Sequence, residues 1–179
     1  MKKLLFFFSV TLFLRCSYAE KENTVSFKNQ EKSLIAVNSY EKNQKGYKII
    51  GIKDGDTFVL LLDGKEQVVR LAHIDCPEKK QPFGNKAKQF AANLCFEKVV
   101  YLIHNSTYDR NKRLIAEVIL PDGTNLNKEL VKNGLAWHFK KYSNNKEYAQ
   151  LETEARNKKI GLWVESNPTP PWIWRKPKK

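Results

Sequence analysis

Apolar and polar positions change their period several times along this chain, and each change predicts an element. Tyr47 to Ile52 and Thr57 to Leu62 are rich in β-branched and other apolar residues and flank the turn Asp54-Gly55-Asp56, so both read as strands. Asp63-Gly64 is a hairpin signal, and Gln67 to Ile74 supplies a third strand. Three strands joined by tight turns predict a meander. Then the period lengthens. Ala87, Phe90, Ala91, Leu94 and Cys95 recur at helical spacing within Phe83 to Phe96, the stripe of a half-buried helix. Val99 to Ile103 is a fourth strand. Arg113 to Leu120 is a fifth, closed by Asp122-Gly123. A short helix follows, with Leu126, Leu130 and Val131 inward and Gly134 as its stop. A last helix, Lys146 to Asn157, places Tyr148, Leu151 and Ala155 on one face.

The expected fold class is therefore α+β, mainly β: a five-stranded barrel with three helices, one of them between the third and fourth strands. Closure removes the sheet edges, and this strand count and helix position are those of an OB-fold, whose face and loops often hold nucleic acid. The domain itself is expected over residues 47–165. Residues 1–19 read as a secretory signal, with basic Lys2 and Lys3, the apolar run Leu4 to Leu14 and a small-x-small site at Ser17-Tyr18-Ala19. Export to the periplasm or the medium follows, with no stable membrane insertion after cleavage. Residues 20–46 read as a flexible charged lead, and residues 166–179 as a Pro-rich basic tail.

Composition narrows the partners. The formal net charge is +13, which falls to +10 if Lys2, Lys3 and Arg15 leave with the signal. Such an excess points to a polyanion, either nucleic acid or an anionic membrane surface. Cleavage leaves Cys76 and Cys95, which are either a disulfide or two separate thiols; sequence does not choose between them.

Candidate chemistry lies in RLAHIDCPE, residues 70 to 78. Asp56 follows the first strand and Asp75 the third, so the meander brings both to one end. Converging carboxylates repel unless a cation lies between them, and all-oxygen ligation favours calcium or magnesium. His73, His104 and His138 are scattered and make no zinc pattern. Glu78, held three residues on behind Pro77, can orient or deprotonate a water. Arg70 and Arg113 can grip phosphate oxygens bidentately. Arg70 is expected to be an exposed arginine that contributes little packing. Together these residues make a phosphodiester-hydrolysis set.

The segments KDGDTFVLLLDG, VVRLAHIDCPE, QPFGNKAKQF, STYDRNKRLIAEV and LNKELVKNGLAW resemble the staphylococcal nuclease (thermonuclease) family in order and spacing, over roughly residues 47 to 163. The resemblance implies a calcium-dependent nuclease acting on DNA and RNA, with 3′-phosphate products. It assigns Asp56, Asp75 and the backbone carbonyl of Cys76 to calcium, Glu78 to the attacking water, and Arg70 and Arg113 to the phosphate. Single-stranded substrate and a monomer are expected. Tyr142 roughly matches a nucleotide-stacking aromatic. Asn111-Lys112 departs from the family's aromatic-Gly pair, which removes one stacking ring and bears on the turn that aims Arg113. The rival reading is an OB barrel that binds nucleic acid without cutting; it does not explain three carboxylates facing a polyanion. A third places Trp172, Trp174 and the tail from Arg175 on anionic lipid.

Overall fold

The computed structural model describes residues 45–177. The predicted signal, nearly all of the lead and the last two lysines lie outside the described residues. Five strands close a barrel in the order β1-β2-β3-β6-β5. They are β1 (Tyr47–Asp54), β2 (Thr57–Leu62), β3 (Lys65–Leu71), β5 (Val99–Ile103) and β6 (Leu114–Ile119). The meander β1-β2-β3 is antiparallel as expected, and α1 (Gly84–Cys95) lies between the third and fourth barrel strands. β3 and β6 pair parallel, Val69 opposite Leu114, which is the closure the hydrophobic pattern did not show. Ile49, Phe58, Leu60, Val69, Val100 and Val118 fill the interior with no exposed surface. From α1, Ala87, Ala91 and Cys95 are buried, while Phe90 and Leu94 are half-buried at its edge.

The expected third strand is cut in two. β3 stops at Leu71, and Ile74–Asp75 forms a separate short strand, β4, paired with β7 (Trp137–His138). The cause is local. His73 takes a left-handed φ of 68°, so the chain turns out of the barrel. Ala72 N–H donates to the Ala116 carbonyl at 2.8 Å and Phe139 N–H to the His73 carbonyl at 2.8 Å. Asn127, in α2 (Leu126–Lys132), braces that corner by donating to the Ala72 carbonyl at 3.0 Å and accepting from Val118 N–H at 3.1 Å. The expected last helix is α3 (Lys146–Asn157), capped by the Asn145 side chain. A 3₁₀ turn at Gly161–Val164 and a single turn α4 (Pro171–Trp174) follow.

Cys76 and Cys95 are buried free thiols, not a disulfide. Burial pushes the Cys95 thiol up to about 12, and burial with the Asp56 charge pushes Cys76 well above its usual value. Both are inert at neutral pH.

Glu117 on β6 ties three elements together. Its carboxylate faces His73 Nε2 at 3.5 Å and accepts from Tyr148 OH at 2.7 Å and from the Asn125 amide. The His73 contact, against the cost of burial, leads the causes that hold the carboxyl down at about 2, from 4.5. Stability from a depressed carboxyl is present above the unfolded value and lost as pH falls through the folded one. Glu117→Gln should therefore cost roughly 3 kcal/mol at pH 7 as an upper bound. The gap between wild type and variant in urea midpoint should shrink as pH falls from about 4.5 toward 2. A gap that does not change with pH would contradict this account.

Candidate active site

The site is built where the turn after β1 meets the end of β3. Thr57 pairs with Arg70 across β2 and β3, and Leu71 N–H donates to the Asp56 carbonyl at 2.9 Å. Asp56 is thus held directly beside the end of β3. Gly55 lets the turn approach this closely, since a Cβ there would meet Ala87 Cβ at 2.8 Å and Cys76 Cβ at 3.0 Å. The break after Leu71 then brings Asp75 back on β4.

The Arg70 guanidinium bridges the two acids: one limb lies 3.0 Å from Asp56 Oδ2 and the other 2.7 Å from Asp75 Oδ1. Here the structure corrects the expectation of an exposed arginine. The Arg70 side chain is only 13% exposed, because the acids it joins are themselves buried. Cys76 N–H donates to Asp56 Oδ2 at 2.6 Å.

Charge in this corner is poorly balanced. Burial pushes the Asp56 carboxyl up to about 7, with the charges of Asp54 and Asp75 acting in the same direction; Arg70 and the Cys76 N–H pull against it. Burial lowers Arg70, but Asp56 and Asp75 outweigh it and its pKa is raised. Asp56 faces Arg70, and Asp75 faces both Arg70 and Arg175, so the buried acids draw positive charge to this corner. Among the described residues no group of three His, Cys, Asp or Glu could hold a metal ion. The protein offers the two carboxylates of Asp56 and Asp75. Those hard oxygens suit calcium or magnesium with water or phosphate oxygens completing the shell. The residues fit that ion.

Glu78 sits on the turn between β4 and α1. Gln81 N–H donates to the Glu78 carbonyl at 2.8 Å, and the Gln81 amide oxygen accepts from Glu78 N–H at 3.2 Å. Gly84 starts α1 directly against this turn, where a Cβ would collide with the Glu78 carbonyl. The Gly in QPFGNKAKQF therefore sets the distance between helix and Glu78.

Arg113 precedes β6. Its Nε donates to Asp109 Oδ2 at 2.7 Å, and its Nη1 to Thr57 Oγ1 at 3.3 Å; Thr57 Oγ1 in turn donates to Asp56 Oδ1 at 3.2 Å. Arg113 thereby joins the same network through Thr57. Asn111-Lys112 does not undo the turn. Asp109 Oδ1 accepts from Asn111 N–H at 2.8 Å and Arg113 N–H at 3.0 Å, while Lys112 takes a φ of 59°. That left-handed Lys stores on the order of 1 kcal/mol that glycine would not.

Tyr142 lies in the loop before α3, 71% exposed, its ring edge-on to Phe139 at 4.9 Å. It is an exposed aromatic rather than a core residue, with the Lys141 ammonium over its ring at 5.3 Å. Two site groups escaped the sequence reading. Asp54, read only as a turn residue, accepts from Asp56 N–H at 3.2 Å and adds its charge to Asp56; the D-G-D spacing was the available signal. The other is Arg175, which pairs with Asp75 and with Glu78 at 2.6 Å. Nothing local in the tail marks it, because its partners lie about a hundred residues away.

Carboxylates and three arginines gather at one end of the closed OB barrel, and the chain's family and relatives make it a nuclease, a hydrolase of phosphodiester bonds. The chain belongs to the staphylococcal nuclease family: residues 68–165 match the family described as staphylococcal nuclease homologue. It is 40% identical to a Haemophilus influenzae protein described as an uncharacterized endonuclease, over 82% of this chain and 81% of that one. It is 35% identical to a micrococcal nuclease of Shigella flexneri, over 73% and 80%. It is 32% identical to the staphylococcal-like nuclease CAN1 of Arabidopsis thaliana, over 92% of this chain but 46% of that longer protein.

Proposed function

We propose that this protein is an exported, calcium-dependent endonuclease that hydrolyses DNA and RNA as a monomer, favours single strands and leaves 3′-phosphates. The observation that carries it is the Arg70 guanidinium bridging two buried acids with Glu78 beside them. Asp56, Asp75 and the Cys76 carbonyl would hold calcium, whose charge offsets that of the scissile phosphate. Glu78 positions the attacking water and takes its proton. Arg70 and Arg113, approaching from β3 and from the turn before β6, hold the equatorial oxygens as their charge builds. Basic surface supplies sequence-independent affinity that weakens with salt. Tyr142 offers a face for an unpaired base, which supports a preference for single strands. The basic, apolar and small-residue order of residues 1–19 supports export.

The test is digestion of plasmid DNA and of RNA by the purified protein with calcium, with magnesium and with chelator. Cleavage of both substrates should be greatest with calcium and fall by at least 10²-fold in chelator, the order expected for removing a group that stabilises transition-state charge. Cutting that continues undiminished after the divalent ions are stripped would overturn the metal assignment. Gel shift without cutting under every condition would favour a binding protein.

A further inference from the structure

The C-terminal segment reaches into the acidic site without belonging to the barrel. It is anchored in two places. Gln81 Nε2 donates to the Thr169 carbonyl at 2.5 Å. Trp172 stacks on Phe139 at 5.3 Å and 9°, and meets Trp137 edge-on at 5.5 Å. Between these anchors and the chain end, the turn α4 aims Arg175 at the site. Arg175 Nη2 donates to Asp75 Oδ2 at 2.6 Å; Nη1 donates to Asp75 Oδ1 at 3.2 Å and to Glu78 Oε1 at 2.6 Å. Arg70 donates to Asp75 Oδ1 as well, at 2.7 Å. Both oxygens of a carboxylate that is 1% exposed are thus committed to guanidinium donors.

While Arg175 keeps these contacts both Asp75 oxygens face guanidinium N–H groups, so a cation reaches ligand distance only by displacing one of those donors. The same guanidinium occupies Glu78 Oε1, one of the two oxygens that could hold a water. Yet the hold is limited. The Arg175 side chain is 44% exposed, so solvent and salt screen its ion pairs, and α4 is a single turn.

We propose that the C-terminal segment is a displaceable strap: Arg175 occupies the cation position between Asp75 and Glu78, and calcium must expel it before the site can act. The strap rests on the nuclease reading and makes the chain's own end a competitive ligand of its active site. Trp172 is the anchor that raises the local concentration of the guanidinium. If the closed form holds 90–99% of the molecules, apparent calcium affinity is weakened by about 10-fold to 100-fold.

The test is calorimetric titration of calcium into the full-length protein and into Arg175→Ala, Trp172→Ala and Lys176→Ala. Arg175→Ala and Trp172→Ala should bind calcium about 10-fold to 100-fold more tightly, the second while keeping the guanidinium. Lys176→Ala loses the same charge outside the contact and should stay within about twofold of wild type. Equal, measurable affinities in all four proteins overturn the strap and leave the nuclease reading standing. Tightening in Arg175→Ala no larger than in Lys176→Ala reduces the effect to bulk charge and overturns it too. Absence of calcium binding in all four overturns the strap and the metal assignment together.

Discussion

Glu78→Gln is expected to slow phosphodiester cleavage by about 10²- to 10⁴-fold at saturating calcium, the usual contribution of a positioned general base. The amide keeps the size of the side chain and can still accept a hydrogen bond from water, but it cannot take the proton. Its backbone contacts to Gln81 are unaffected, so the turn and Gly84 should stay in place. Glu78 is not one of the groups assigned to calcium, and affinity for the ion should stay within a few-fold, or tighten slightly as the Arg175 contact weakens. Single-turnover kinetics on a short oligonucleotide checks the first point and calcium titration the second. Wild-type turnover in the purified variant would remove Glu78 from the mechanism.

Arg70→Ala should lose both activity and fold stability. The guanidinium lies between Asp56 and Asp75 at 3.0 and 2.7 Å and is largely buried with them. Removing it leaves buried Asp56 without its cation and Asp75 with Arg175 alone, and breaking a buried pair typically costs about 3–5 kcal/mol. Calcium should return part of that loss, because an ion that binds only the folded state stabilises it. Turnover should fall by at least 10²-fold, since a donor to the charged phosphate is gone. Arg70→Lys retains a charge but only one of the two limbs, and should keep more stability than activity. Urea midpoints with and without calcium, read beside initial rates, separate the effects. An Arg70→Ala midpoint equal to wild type in chelator would show that the bridge does not hold this corner together.

The stability part of that result runs against the sequence reading, which took Arg70 for an exposed arginine. The pattern of positions 67 to 71 places Arg70 on a strand but says nothing of how deeply its neighbours' carboxylates are buried. The D-G-D turn, the β-branched apolar runs of the strands and the helical stripe of α1 were all readable, because each is a local composition, a periodicity or a turn chemistry. The grouping of Asp56 with Asp75 was readable too, since a meander returns strand ends to one place. Where the reading failed, a single backbone angle decided. His73 at a φ of 68° splits the expected third strand, and no residue pattern requires a histidine to take that conformation.

The chain's local order alone determined the barrel strands, the helix between the third and fourth of them, and the residue types a phosphodiesterase needs. Those follow from side-chain periodicity and charge, which act over a few residues. Three-dimensional packing decided the rest: the parallel pairing of β3 with β6, the burial of Arg70, the two unbridged thiols, and the docking of Arg175 on Asp75 and Glu78. Each depends on groups brought together from distant parts of the chain, where burial and competing contacts, rather than local preference, set the energy.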